Sequence, residues 1–282
     1  MNNLVKIIPL KTGNKYLIFN DTKEEFSQLV NITDNDDEHK SFLEEGDKKL
    51  DRYNNIKPYK YNLISIHNGK KYINASPINI IQNKYFITTQ GPKRNTIEDF
   101  WTMVEENESN IIVMLCNVIE QGKEKCAKYW DNKLIKIVSE EEKEGYYIIR
   151  KFKLLNESEN KSREITQLHF TAWPDHGIPE IGNGQVFEIF EEMIKIIDKK
   201  KGDKPAIVHC SAGVGRTGVF LGMYYLYEEI MRQISQKNDP IKFCIFNVVR
   251  KMKEMRLHMV QNAEQYNFLY FFASYLLQKY NF

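Results

Sequence analysis

Apolar residues recur along this chain in two rhythms, short β-branched or aromatic runs and longer stretches at helical spacing. Together they predict an α/β chain. Ile111-Ile-Val-Met-Leu115 is an uninterrupted apolar run typical of a strand buried on both faces. Tyr61 to Ile66, Tyr72 to Ala75 and Tyr85 to Thr88 read as strands separated by turn residues such as Asn68-Gly69. Tyr146 to Leu154 and Ile165 to Phe170 supply two more. Gln185 to Ile197 has helical spacing, with Val186, Phe187, Phe190, Met193, Ile194 and Ile197 on one side. Thr22-Lys-Glu-Glu25 reads as a capping box for a helix with Phe26, Leu29 and Val30 on its apolar face. Phe246 to Leu257 is helical again. A last helix, rich in Phe and Tyr, opens at Met259-Val-Gln261-Asn-Ala-Glu-Gln265; Asn267, Ser274, Gln278 and Lys279 interrupt it, so it reads as core rather than membrane.

Three polar stretches punctuate these elements. Asn31 to Asp47 is acidic and reads as a mobile loop rather than a domain boundary. Asp51 to Tyr59 contains Pro58 and two asparagines and reads as irregular backbone. Asp198-Lys-Lys-Lys-Gly202 reads as a solvated charge run.

The candidate chemistry lies where a strand meets a helix. Ile207 and Val208 fill a buried strand, and Val219, Phe220, Leu221, Met223, Tyr224, Leu226 and Tyr227 repeat at helical spacing, so Cys210 to Gly218 forms the turn between them. Such a turn aims backbone N–H groups and a helix dipole at one point, where an anion sits. Gly213 and Gly215 permit the close backbone this cradle needs. It holds one thiol, Cys210, and one guanidinium, Arg216. A helix N-terminus and a neighbouring cation favour a thiolate, the nucleophilic form of cysteine, and a guanidinium fork binds a tetrahedral oxyanion bidentately. The pocket suits a phosphate attacked by sulfur.

Other readings compete. Gly213-Val-Gly215-Arg-Thr-Gly218 fits a dinucleotide fingerprint, but the acidic residue expected about twenty positions on is absent from Ile230-Met-Arg-Gln233. A Walker loop would need a lysine that this stretch lacks. A buried structural cysteine is the blandest alternative. A second loop adds chemistry: Trp173-Pro-Asp-His-Gly177, with Pro179 behind it, has the layout of a lid carrying one carboxylate, Asp175. The blander alternative is that Asp175 merely caps a turn.

His209-Cys-Ser-Ala-Gly-Val-Gly-Arg-Thr-Gly218 resembles the signature loop of the classical, tyrosine-specific protein tyrosine phosphatases. Further segments resemble the same family from about Asp51 to Phe272, among them Tyr72-Ile-Asn-Ala-Ser76, Gln90-Gly-Pro92 and Asp99-Phe-Trp101. The resemblance implies a single α/β domain spanning 1–282, with a central, highly twisted mixed β-sheet flanked by helices and an N-terminal helix and acidic loop (1–50) packed on it. It implies hydrolysis of phosphotyrosine through a cysteinyl-phosphate intermediate, without metal or cofactor. Cys210 would be the nucleophile, and Arg216 with the loop from Ser211 through Ala212, Gly213 and Val214 to Gly215 would hold the phosphate. Asp175 would be general acid and then base, Gln261 would orient the water, and Thr217 would donate to the departing sulfur. Tyr53 would wall the pocket, with Asn55 and Gln265 also touching substrate. His209, Glu120, Lys125 and Trp173 would support these groups, Glu120 by holding the arginine and Lys125 by contacting the acid loop. Four departures from the family pattern, Asp51, Asn55, Asp131 and Lys253, are expected at the rim, where they bear on peptide selectivity rather than turnover. An inactive phosphotyrosine-binding module and a dual-specificity enzyme are the alternatives; the first would lack Cys210 or Asp175, the second the Tyr53 loop.

Composition narrows the class further. The 282 residues carry 40 Lys+Arg against 38 Asp+Glu, a net +2, so no field exists for generalised nucleic-acid binding. No charged-then-apolar leader follows Met1 and no apolar run nears membrane-spanning length, so the chain reads as soluble and cytoplasmic, and the resemblance implies a monomer acting on phosphotyrosine-containing proteins. Its four cysteines lack zinc-site spacing and are too few for a disulfide framework, which fits a reducing compartment.

Overall fold

Ile111-Ile-Val-Met114 and Ala206-Ile-Val-His209 carry no polar face, and each lies wholly buried between two other strands at the centre of a seven-stranded sheet. The computed structural model describes residues 21–81, 84–156, 161–174, 177–182 and 184–281. In chain order its elements begin with α1 (Thr22–Asn31), α2 (Asp37–Ser41), β1 (Ser65–Ile66), β2 (Lys71–Tyr72), β3 (Ala75–Ile81), β4 (Lys84–Thr89) and α3 (Ile97–Glu106). The middle of the chain supplies β5 (Ile111–Met114), β6 (Ile119–Glu120), β7 (Lys123–Glu124), β8 (Ile135–Lys143), β9 (Tyr147–Asn156) and β10 (Lys161–Phe170). After these come α4 (Gln185–Lys201), β11 (Ala206–His209), α5 (Gly215–Ser235), α6 (Ile245–Met255) and α7 (Ala263–Lys279).

The large sheet runs β3-β4-β11-β5-β10-β9-β8. Its inner four strands are parallel, with Val208 opposite both Thr88 and Val113, and Leu168 also opposite Val113. The outer strands β3, β9 and β8 pair antiparallel, so the sheet is mixed. Helices α4, α5 and α7 interlock through aromatic rings, Phe187 lying 5.1 Å from Phe268 and Phe190 6.1 Å from Phe220. α1 docks on α7 through Phe26, whose ring is 5.5 Å from that of Tyr266. Among the described residues, no helix is long and apolar enough to cross a membrane.

Several local expectations are corrected. The cap of α1 is Asp21, one residue before Thr22, its carboxylate accepting from the N–H groups of Lys23 and Glu24. The acidic stretch from Asn31 is not a plain loop: it contains α2, and Asp34 within it pairs with Lys253 at 2.8 Å. Of Tyr61 to Ile66 only Ser65–Ile66 is strand, because the chain first makes a 3-10 turn at Lys60–Asn62. Tyr72 to Ala75 divides between the end of β2 and the start of β3. The run Asp198 to Lys201 continues α4 as its last turn, with Lys201 buried and Asp198 paired to Lys84.

Two strands carry no recognisable strand signal. β3 holds Pro77, which a strand tolerates at a sheet edge, and β3 is an edge. β8 is the opposite edge; its Glu140-Glu-Glu142 run reads as loop in isolation, but charge on an exposed edge deters pairing with other chains.

Candidate active site

β11 ends at His209, α5 begins at Gly215, and the five residues between them form a turn whose backbone is held from outside at every carbonyl. His209 Nδ1 lies 3.1 Å from the Cys210 oxygen. The Gly91 N–H donates to the Ser211 oxygen at 2.9 Å. The Arg256 guanidinium donates to the Ala212 oxygen at 3.3 Å and to the Gly213 oxygen at 3.0 Å. The Val260 and Gly218 N–H groups both donate to the Val214 oxygen. In a planar trans peptide the N–H points opposite to the C=O. Each N–H of the turn thereby points away from the group that holds its own peptide's carbonyl, and that of Gly213 lies 3.3 Å from the Cys210 sulfur. The positive end of α5, 21 residues long, opens onto the same place.

Gly213 adopts φ +73°, and a Cβ there would stand 2.1 Å from the Thr89 oxygen, so neither the conformation nor the space admits a side chain. At Gly215 a Cβ would meet Gln261 Oε1 at 2.4 Å, so this glycine lets the glutamine lie against the loop.

Arg256 escapes sequence reading, because it looks like an ordinary charge at the end of α6. It is fully buried, and besides the two loop carbonyls it reaches Asn74 Oδ1 at 2.7 Å. Asn74 in turn donates to Asp51 at 2.9 Å, so carboxylate, amide and guanidinium form one chain beneath the loop. Burial lowers the Arg256 pKa to about 10, which leaves it a cation at neutral pH.

His209 is fully buried, and burial pushes its pKa down to about 4. It is therefore neutral, with one ring N–H to place. Its Nε2 lies 3.0 Å from the Tyr129 hydroxyl, itself buried and receiving a bond from Gln167 Nε2 at 2.5 Å.

Arg216 stands at the start of α5 and is gripped by Glu120 from β6 through two bonds of 2.6 and 2.8 Å. Its burial alone would lower its pKa, but bonding to Glu120 and the proximity of Cys210 outweigh this and raise it. Tyr53 donates to Ser211 Oγ at 2.8 Å, since Ser211 gives its own proton to the Lys125 carbonyl. A cleft of about 290 Å³ opens over Cys210 and Arg216; Tyr53, Asn55, Glu120 and Lys125 line it from one set of loops, and Gln261 and Gln265 from another. The Gln261 N–H donates to Gln265 Oε1 at 2.9 Å. Just before it, Val260 takes φ +61°, a costly conformation for a β-branched residue, fixed by its bond to Val214.

Trp173 is buried against Phe170 and Phe190, and its indole donates to the Gly177 oxygen at 3.3 Å. Asp175 and His176 lie outside the described residues, while Gly177 lines the cleft. Thr217 is buried, and among the described residues its hydroxyl has no hydrogen-bond partner, the Cys210 sulfur included.

Two of the four departures are not at the rim. Asp51 is buried, accepting from Tyr72 and Asn74. Lys253 is fully buried and paired with Asp34, which also faces His258 at 3.1 Å, so it clamps α6 to the N-terminal segment. Asn55 and Asp131 are exposed, and only Asn55 lines the cleft. Among the described residues no cluster of metal-binding side chains occurs.

A family model for protein-tyrosine phosphatase matches residues 47–274. Tyrosine-protein phosphatase non-receptor type 20 of Rattus norvegicus is 36% identical over 270 residues, covering 92% of this chain and 61% of that protein. Tyrosine-protein phosphatase 2 of Dictyostelium discoideum is 38% identical, covering 71% of this chain and 53% of its own length. The chain thus spans about three fifths or less of these curated relatives. Among solved structures, the catalytic domain of human protein tyrosine phosphatase non-receptor type 18 superposes with a TM-score of 0.79 at 29% identity, covering 90% of this chain and 95% of that one. The same phosphatase in complex with HER2 phosphopeptides gives a TM-score of 0.78 at 27% identity, covering 90% and 92%.

Proposed function

Because this chain belongs to the protein-tyrosine phosphatase family, we propose that it hydrolyses phosphotyrosine in proteins or peptides through a phosphocysteine intermediate. The observation that carries this reading is a turn whose carbonyls are all held, with the Gly213 N–H 3.3 Å from the Cys210 sulfur and the Glu120-gripped Arg216 lining the same cleft. The Cys210 thiolate attacks phosphorus in line, forming the S–P bond as the P–O bond to tyrosine breaks. Arg216 and the loop N–H groups hold the three equatorial oxygens, over which charge spreads in a loose transition state. Asp175 gives its proton to the leaving phenolate, whose ordinary pKa of about 10 makes it a poor leaving group unaided. A water held by Gln261 then gives a proton to Asp175 and attacks phosphorus, releasing inorganic phosphate and the thiolate. The unpartnered Thr217 hydroxyl is available to that departing sulfur. Tyr53, tied to Ser211, forms the wall on which the substrate ring packs.

The non-receptor type 18 structure with phosphopeptides supports a peptide substrate for this chain. Residues 1–282 act on this reading as one domain and as a cytoplasmic monomer, a setting in keeping with four free cysteines. Phosphate release from phosphotyrosine and phosphoserine peptides, assayed side by side, tests the activity. Turnover confined to phosphotyrosine supports it, and equal turnover of both would replace it with a dual-specificity assignment.

Asp175→Ala is expected to lower kcat about 10²-fold or more and to remove the basic limb of the pH profile while leaving KM nearly intact. The loss should shrink for an aryl phosphate whose leaving group needs no proton. Equal losses on both substrates would refute the general-acid role. Gly177 at the cleft and the Trp173 indole bonded to it, on either side of Asp175, favour the assignment.

Asn55 is exposed at the mouth of the cleft. An amide oxygen accepts peptide N–H groups more weakly than a carboxylate does, charge-assisted bonds being about twice as strong. Asn55→Asp should therefore lower KM for a phosphotyrosine peptide several-fold, about 1 kcal/mol, and leave a small aryl phosphate unaffected. An unchanged peptide KM would mean that Asn55 does not touch the substrate backbone.

A further inference from the structure

A buried polar chain leaves the loop at His209 and ends far across the sheet. His209 meets Tyr129, Tyr129 meets Gln167 on β10, and Gln167 Oε1 accepts from Arg150 on β9 at 2.9 Å. All four are buried: Tyr129, Gln167 and His209 completely, and Arg150 to 6% exposure. Arg150 also stacks on Trp130 with 4.6 Å to the ring centroid, faces His169 Nδ1 at 3.0 Å, and pairs with Glu140 on the edge strand β8.

The direction of this chain follows from chemistry. A guanidinium donates and cannot accept, so the atom of Gln167 facing Arg150 must be its oxygen. That turns the Gln167 NH₂ toward Tyr129, whose oxygen accepts it and whose own proton has two acceptors in reach, His209 Nε2 at 3.0 Å and the weaker acceptor Met114 Sδ at 3.8 Å. Neutral His209 has one N–H left to give, at Nδ1, which is the nitrogen facing the Cys210 carbonyl. Arg150 fixes the orientation of Gln167 at one end, the Cys210 carbonyl selects Nδ1–H at the other, and the imidazole nitrogen, as the stronger acceptor of the Tyr129 proton, joins the two in one polarity. If the chain ran the other way, a bare Nδ1 would face that carbonyl, two acceptors would oppose each other, and the Cys210–Ser211 peptide would lose its anchor.

We propose that Gln167 and Arg150 are positioning residues for the Cys210 loop, fixing through Tyr129 the His209 tautomer that holds the Cys210 carbonyl outward. The proposal rests on the reading of Cys210 as the thiolate nucleophile. Among the described residues, the charged or titratable groups set around Cys210 (Arg216, Glu120, Arg256, Lys125, Cys116 and His209) are left in place by the substitutions that test it.

Gln167→Met keeps the volume and removes the bonds to Arg150 and Tyr129 without adding charge. Gln167→Glu keeps the bond to Arg150 but can no longer donate to Tyr129, which reverses the chain. Iodoacetate alkylation of Cys210, followed against pH, should slow about tenfold in mildly acidic buffer for both variants while converging with the unsubstituted protein at high pH, a shift of about one pH unit. Nitrogen-15 NMR of Gln167→Glu should find the His209 proton moved from Nδ1 to Nε2. Either an unchanged alkylation profile in Gln167→Met or a His209 proton still on Nδ1 in Gln167→Glu would overturn the proposal. If Gln167→Met does not fold, Tyr129→Phe is expected to shift the profile in the same direction, and an unshifted profile there is equally fatal. Failure of the nucleophile reading looks different: Cys210 of the unsubstituted protein would then react in acidic buffer no faster than Cys244.

Discussion

Cys210→Ser is expected to abolish turnover, a loss of about 10⁴-fold or more, while phosphotyrosine peptides still bind. A serine hydroxyl is a far weaker nucleophile toward phosphorus than a cysteine sulfur, so the S–P bond has no working counterpart, yet the loop N–H groups and the Arg216 fork proposed to hold the phosphate remain. Isothermal calorimetry with a phosphotyrosine peptide and a phosphate-release assay on the same preparation separate the two effects. Residual turnover within tenfold of the parent would assign the chemistry to another group. Cys116 cannot be that group, because it is buried and its burial holds the thiol protonated well above its usual range. Selective alkylation of Cys210 over the half-buried Cys244 in acidic buffer is the companion result.

The second large effect is expected at Arg216. Arg216→Lys keeps the charge but replaces a planar fork by a single ammonium, which cannot both grip the two Glu120 oxygens and embrace two phosphate oxygens. A loss of about 10³-fold in kcat/KM is expected, the scale of losing a transition-state donor in a closed site. The melting temperature should move little, since the ammonium still has Glu120 to pair with. Glu120→Gln keeps one acceptor for the fork and should cost less. If Arg216→Lys retained a tenth or more of the parent activity, bidentate phosphate binding would be the wrong account.

The local sequence exposes some of this site and conceals the rest, for a physical reason. Cys210, Arg216 and the glycines announce themselves because an anion cradle needs those residue types at fixed short spacing. Likewise β5 and β11 are legible because a strand buried on both faces must be apolar throughout. Arg256, Gln167 and Arg150 are illegible because each is a polar residue in a strand or helix, where polarity ordinarily marks the solvent face. Only the packing of distant segments buries them and supplies their partners: Asn74 lies 182 positions from Arg256, and Tyr129 lies 38 from Gln167. The misjudged rim residues have the same origin. Lys253 alone suggests a solvated helix end, and nothing near it in sequence reveals that Asp34, 219 residues away, waits over it. The edge strand β8 was hidden in the opposite sense, its glutamates suggesting loop when they serve to keep a paired strand from pairing further.

The carbonyls from Cys210 to Val214 are restrained by groups from five separate places in the chain: Gly91, His209, Gly218, Arg256 and Val260. The loop therefore cannot be transplanted as a unit. Grafted between a strand and a helix of another α/β scaffold, the segment His209 to Gly218 would bring its thiol and guanidinium but leave behind three of those donors. Its peptides would be free to rotate, and carbonyl oxygens would compete with N–H groups for the space beside the sulfur. Such a chimera should bind phosphate weakly and turn nothing over until donors equivalent to Gly91, Arg256 and Val260 are built around it. The transferable unit of this chemistry is a shell of contacts scattered through the fold, with the familiar ten residues as its lining.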